Sequence, residues 1–356
     1  VRIIQVLTTV SVGDAVSNDA LALQKALREM GYVTDIYAEH IDSRLEKGRV
    51  KKIKELSGLK KKDVVIYHLS TGTELNYAVA QYEAGKILIY HNVTPPYFLA
   101  PYKPVKAKQC QYGLDGARYL ADKVDYCLAD SEWNRQDLLA MGYPCKIDVL
   151  PIMIAFEDYA KKPNQKIVQK FKGKGTNILF TGRVAPNKCH EDLITSFYLY
   201  KKNYNPDARL FLVGSYSGME EYYSRLLSYV EQLGVQDVYF TGHISFEDML
   251  AYYYVADLFL CASEHEGFCV PLVEAMYFDV PIIAYDSTAI GWTLGGSGIL
   301  MPDKTPALVA GMMNRLLTDR GLRETVLENQ RIRLEDFAHT AVTAQFKEYL
   351  KNFLKG

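Results

Sequence analysis

Long apolar runs are missing from this 356-residue sequence, and none approaches the ~18–20 residues that a membrane-spanning helix needs. An excess of charge of either sign is missing too. The formal net charge is −1, so no global field attracts nucleic acid, and a DNA-binding reading would need a local basic face. Cysteine is thinly spread: Cys110, Cys127, Cys145, Cys189, Cys261 and Cys269 are scattered too widely for a zinc knuckle or a dense disulfide frame. They read as reduced core thiols of a cytosolic protein. No Asp-x-Asp motif follows a strand, so no divalent metal is implied, and there is no short repeat or low-complexity tract. The opening V-R-I-I-Q-V-L-T-T-V is too short for a secretion signal and lacks a small-residue cleavage site, which makes it a buried first strand.

What is present is core material. Hydrophobic residues make up 49% and charged residues 23%, a globular composition, and the length suits roughly two domains. Short β-branched runs alternate with helical patterns. Ile3–Leu7 reads as a strand, and a helix from about Asn18 to Met30 is closed by Gly31. Val64–His68, Ile87–His91 and Tyr126–Ala129 continue the series, and βαβα order predicts a parallel sheet with helices on both faces. Between Leu150 and Gly175 the rhythm breaks into a polar, Lys-rich stretch, the best linker in the chain. The series then restarts with Asn177–Thr181, Arg209–Val213, Val238–Thr241, Leu258–Ala262 and Pro281–Tyr285. The expected architecture is α/β, with two Rossmann-like halves.

Open α/β sheets bind ligands beyond the carboxyl ends of their strands. After Asn177–Thr181 comes G-R-V-A-P-N-K, where Gly182 permits a tight turn and Arg183 and Lys188 are the strong cations. An Arg fork with a Lys point charge suits a diphosphate; by itself, a solvated basic turn explains it better. After Leu258–Ala262 comes S-E-H-E-G-F-C-V-P-L-V-E-A-M. Pro271 suits the first turn of a helix, which puts the N–H groups of Phe268, Cys269 and Val270 at its positive end. Glu266 precedes that turn and Glu274 lies one turn inside. Carboxylates are poor phosphate ligands but good acceptors for paired sugar hydroxyls. Two of them flanking a phosphate cradle therefore describe a nucleotide sugar: ribose, diphosphate, hexose.

These residues carry a family likeness. E-G-F-C-V-P-L-V-E-A-M, preceded by N-I-L-F-T-G-R-V-A-P-N-K, resembles the retaining GT-B glycosyltransferases of family 4. V-G-D-A-V-S-N-D, I-Y-H-N-V-T-P-P and A-D-S-E-W-N resemble one bacterial branch of it. The resemblance implies two Rossmann-like domains facing a cleft: residues 1–155 binding the acceptor, with 336–356 returning to them as a crossing terminal helix, and residues 165–335 binding the donor. It implies that Arg183 and Lys188 hold the diphosphate and that Glu274 takes the ribose hydroxyls. Glu266, with the amides of Gly267, Phe268, Cys269 and Val270, would hold the hexose and the distal phosphate. Gly242, His243 and Ile244 would meet the base, Gly13 would let the first domain approach the phosphates, and His91 would lie near the anomeric end. Asn92 and Asp14 are acceptor-side candidates; Asp14 and Asn18 read equally well as helix caps. Where relatives often carry Pro-Glu, this chain has Gly291 and Trp292, and Asp279 stands where glycine usually ends a helix.

The function so implied is transfer of a hexose from a UDP- or GDP-sugar to a hydroxyl of a glycan or lipid-linked acceptor, without metal or other cofactor. The expected place is the cytoplasm, with a peripheral position on the inner membrane face if T-P-P-Y-F-L-A-P-Y-K-P-V-K-A-K meets lipid. Six lysines between Lys51 and Lys62 read as a solvated helix and loop. Competing readings are a nucleotide-sugar epimerase, which would need no acceptor, and a non-catalytic sugar-binding protein, which would want a secretion signal.

Overall fold

The computed structural model describes residues 1–355, which divide into two units. The first comprises Val1–Ala100, Pro104–Phe156 and, of the described residues, 336–355; the second comprises Pro101–Lys103 and Glu157–Glu335.

In the first unit seven parallel strands run in the order β3-β2-β1-β4-β5-β6-β7. They are β1 (Ile3–Val10), β2 (Ile36–Ile41), β3 (Lys51–Lys52), β4 (Val64–Leu69), β5 (Gly85–Tyr90), β6 (Tyr126–Ala129) and β7 (Lys146–Val149). All six residues of β4 are buried, as in a sheet covered on both faces. The helix Ala15–Glu29 covers one face, and Gly31 (φ 84°) ends it in the left-handed conformation. The terminal helix His339–Lys355 packs here as well. Its Val342, Phe346 and Leu350 recur at four-residue spacing and sit in one core with Ile3, Leu23, Leu27, Ile87 and Leu128. Phe353 stacks on Tyr126 with ring centroids 5.8 Å apart.

The second unit holds six parallel strands in the order β10-β9-β8-β11-β12-β13. They are β8 (Asn177–Thr181), β9 (Arg209–Val213), β10 (Val238–Gly242), β11 (Leu258–Cys261), β12 (Ile282–Tyr285) and β13 (Ile299–Met301). The order reverses between β8 and β11 here, and between β1 and β4 in the first unit. Such reversal points are where ligands enter open α/β sheets.

Several sequence expectations need correction. The stretch read as a linker carries two helices, Phe156–Tyr159 and Gln165–Phe171, and the second buries Phe171 against Phe211. Lys51 and Lys52 form the edge strand β3 and not a helix, because β2 offers them a backbone ladder. The loop after His91 is a short helix, Pro96–Leu99, followed by the long helix Pro104–Tyr119. β2, β7 and β13 lie in stretches too short or too polar to stand out by pattern. No helix among the described residues is long and apolar enough to cross a membrane.

Candidate functional site

At the β8–β11 reversal the chain builds a tight junction from two glycines. Gly182 follows β8 at φ 153°, and its N–H donates to Val213 O at 2.9 Å. Gly214 follows β9, and a Cβ there would come within 1.9 Å of Gly182 O. Only glycine allows that approach, so Gly214 is as necessary as Gly182 although nothing in the sequence singled it out. Arg183 leaves this junction exposed to solvent, with no ion-pair partner within 4 Å among the described residues.

Lys188 ends the single turn Pro186–Lys188, and its Nζ lies 2.5 Å from Glu266 Oε1. Burial opposes charge on this ammonium, but Glu266 outweighs it and lifts the Lys188 pKa above its ordinary value. Asn187 stitches the two loops together: its amide donates to His265 O at 3.1 Å, and Glu264 N donates to its own carbonyl at 2.9 Å. Glu266 is fixed from the other side as its N–H donates to Thr288 Oγ1 at 2.9 Å. His265, half-buried beside this pair, is pushed down to about 4, chiefly by burial.

The helix Val270–Tyr277 starts where the residue chemistry placed it. Cys269 precedes it at φ 72°, and no side chain caps it, so its first-turn N–H groups form a positive end facing the loop of Gly267 and Phe268. Phe268 O accepts from Thr293 Oγ1 at 2.5 Å, which anchors the loop. Glu274 points away from this end into a buried clamp. Its Oε1 accepts from Tyr159 at 2.8 Å and its Oε2 from Tyr253 at 2.6 Å, while burial raises its pKa. Both carboxylate oxygens are thus already engaged. Neither Tyr159 nor Tyr253 carries a signal in the sequence, since a tyrosine in a helical pattern reads as core.

Near the base-side candidates, Gly242 (φ 67°) lies over Tyr216, whose ring would touch a Cβ at 3.3 Å. Tyr216 stacks on Tyr223 with centroids 4.0 Å apart. His243 is exposed and Ile244 half-buried, so both present themselves beside this aromatic floor. Trp292 lies under Arg333, whose guanidinium is 5.4 Å from the ring centroid, and beside Phe268. Asp279 does adopt the left-handed conformation, at φ 54°, and pairs with Arg331.

The first unit carries the remaining candidates just after β1 and β5. Gly13 turns the chain after β1 at φ 78°. Asp14 caps the following helix, its Oδ2 accepting from Ser17 N at 2.9 Å and Ser17 Oγ at 2.7 Å. That capping role accounts for its carboxylate. Asn92 sits at φ 73° and donates to Asn134 Oδ1 at 2.7 Å. His91 is buried, and both its ring nitrogens are taken by side chains of the same unit: Nδ1 lies 2.8 Å from Asp130 Oδ2, and Nε2 lies 2.8 Å from His68 Nδ1. An outward hydrogen bond from the His91 ring is therefore not available in this conformation.

Comparison with known proteins identifies the surroundings of this site. Residues 161–333 match the family model described as glycosyl transferases group 1. A mannosylfructose-phosphate synthase of Agrobacterium fabrum is 35% identical over 124 residues, which are 33% of this chain and 27% of that protein. A D-inositol 3-phosphate glycosyltransferase of Jonesia denitrificans is 28% identical over 204 residues, 55% of this chain and 47% of that protein. The matched segments thus span less than half of either relative. The crystal structure of Anabaena Alr3699/HepE in complex with UDP and glucose superposes with a TM-score of 0.78 at 17% identity, over 99% of this chain and all of that one. That likeness is one of fold, and the fold is GT-B.

Proposed function

From the premise that residues 161–333 are a glycosyl transferases group 1 domain in a chain of GT-B fold, we propose that the protein is a retaining hexosyltransferase. It uses a UDP- or GDP-sugar, and its acceptor is a hydroxyl of a glycan or lipid-linked glycan in surface polysaccharide or glycoconjugate assembly. The observation that carries this reading is the convergence at one strand-order reversal of Arg183, the Lys188–Glu266 pair and the uncapped start of the Val270–Tyr277 helix. A cation fork, an ammonium and a helix N-terminus supply what a diphosphate leaving group needs.

In the proposed step the bond between the anomeric carbon and the diphosphate oxygen breaks as the acceptor oxygen bonds to the same face of that carbon. The acceptor proton passes to the departing diphosphate. No protein base is required, and the main catalytic contribution is electrostatic stabilisation of the leaving group by Arg183, Lys188 and the helix amides. Glu266 both pairs Lys188 and offers acceptors for sugar hydroxyls. Glu274, held by two tyrosines, is the ribose-side carboxylate. No metal is part of the proposed step.

The test is thermal unfolding with UDP, GDP, ADP and pyrophosphate at equal concentrations, followed by turnover with the matching sugar nucleotides. A ligand at ~100 times its dissociation constant adds ~2.7 kcal/mol. One nucleoside diphosphate is expected to stabilise the protein, and Arg183→Ala to abolish the shift. Stabilisation that survives both Arg183→Ala and Lys188→Ala would place the ligand elsewhere.

A further inference from the structure

In the first sheet, a row of buried side chains joins β1, β4 and the residues that follow β5 and β6. Gln5 Nε2 donates to Ala20 O at 2.8 Å, which turns its Oε1 toward His68. Gln5 Oε1 lies 2.8 Å from His68 Nε2, His68 Nδ1 lies 2.8 Å from His91 Nε2, and His91 Nδ1 lies 2.8 Å from Asp130 Oδ2. The two imidazole planes are 3° apart, so the row is nearly flat. All four residues are buried.

Counting protons along this row limits its charge states. Gln5 Oε1 can only accept, so His68 Nε2 carries a proton. One proton must lie between His68 Nδ1 and His91 Nε2, since two bare ring nitrogens at that distance repel. One more lies between His91 Nδ1 and the Asp130 carboxyl. The row thus holds three protons, whereas two neutral imidazoles and a carboxylate hold two. The third proton lies either on a ring or on Asp130, whose pKa burial raises and whose Oδ1 has no hydrogen-bond partner; of the two rings, His91 is the one in contact with a carboxylate. His68 has only Asp19, at 4.0 Å, and an oxygen of Asp19 is already engaged by Met153 N.

We propose that His91 is a buried imidazolium that donates both N–H groups inward, acting on a bound ligand through the fixed dipole of its pair with Asp130 and not through contact, with His68 and Asp130 as the positioning residues that hold this state. The ionisable groups facing it are Asp14 and Asp19 from the Ala15–Glu29 helix and its cap, His68 from β4, and Asp130. Burial opposes its charge, but Asp130, Asp19 and Asp14 together outweigh burial and raise the His91 pKa, whereas burial lowers that of His68. Burial likewise raises Asp19, to about 7. The consequence rests on the hexosyltransferase reading: a ligand arriving beside this row meets an imidazolium–carboxylate pair that is neutral overall but keeps a fixed dipole, which does not titrate away near neutrality.

The charge state can be read without any substrate. In protein labelled with 15N-histidine, an imidazolium gives two nearly equal ring-nitrogen shifts, and a neutral ring gives two widely separated ones. Among the seven histidines, the signals lost in His91→Asn identify His91. At pH 8 a histidine with the ordinary pKa of ~6.5 is about 97% neutral. His91 is expected to keep the imidazolium pattern at that pH, and Asp130→Asn to abolish it. A neutral pattern for His91 at pH 8, or one indifferent to Asp130→Asn, overturns the proposal. Should Asp130→Asn not fold, the titration of the unaltered protein decides alone. Kinetics separate positioning from packing: His68→Asn keeps an acceptor for His91 Nε2 and is expected to retain kcat, while His68→Leu lowers kcat at least tenfold with little change in KM. Equal losses in both variants would reduce His68 to packing. If no hexose transfer is found, the nitrogen spectra still decide the charge, and only the function proposed above falls.

Discussion

His190 offers a sharp test of how burial acts in this protein. It opens the helix His190–Asn203, two residues beyond Lys188, is fully buried, and neither ring nitrogen finds a hydrogen-bond partner. Its ring meets Phe180 and Tyr222 edge-on. Burial, assisted by the charge of Lys188, pushes its pKa down to about 3. Between that value and the ordinary ~6.5, the unfolded chain binds a proton that the folded chain refuses, so stability is lost as pH falls through this window. At pH 5 the unfolded state gains about 1.5 pH units of protonation, or about 2 kcal/mol. His190→Leu removes that loss along with two orphaned polar atoms. The variant is expected to match or exceed the parent by about 1 kcal/mol at pH 7, and to gain about 2 kcal/mol further at pH 5. His265 also titrates low, but it is present in both proteins and cancels in the difference. The assay is urea unfolding of parent and variant at both pH values. A parent–variant difference that is the same at pH 7 and pH 5 would refute the reasoning, because it would mean that His190 accepts its proton in the folded state.

Other perturbations follow from the same structure. Glu266→Gln leaves Lys188 partly buried without its counter-charge and should cost about 3 kcal/mol in urea unfolding; an unchanged midpoint would show that the pair contributes little. Gly214→Ala forces a methyl to within 1.9 Å of Gly182 O, so a loss of about 3 kcal/mol together with a weakened nucleotide shift is expected, and a stable, fully responsive variant would contradict the junction described. Phe346→Ala opens the core of the first unit from its C-terminal helix and should cost about 3–5 kcal/mol, measured by hydrogen exchange in β1, β4 and β5. Protection unchanged in those strands would mean that the terminal helix is not part of their core.

The alternation of β-branched runs with helical patterns was enough to call for two parallel sheets, because burial on both faces demands continuous apolar strands. Local chemistry likewise marked Gly182, the proline at the start of Val270–Tyr277 and the left-handed Gly31 and Asp279, since each answers to backbone constraints a few residues wide. Glu266 and Lys188 were visible as charges at strand ends, yet their pairing joins positions 78 residues apart. Gly214, Asn187 and Thr288 carried no signal, because their roles exist only where a second loop arrives. The same holds for His68 and Asp130, unremarkable in β4 and after β6. Only the parallel register of β4, β5 and β6 sets them on either side of His91 and so determines which of its nitrogens bear protons. Composition and periodicity act along the chain and can be read from it; charge state and orientation are set by partners across the fold, and these the tertiary structure alone decides.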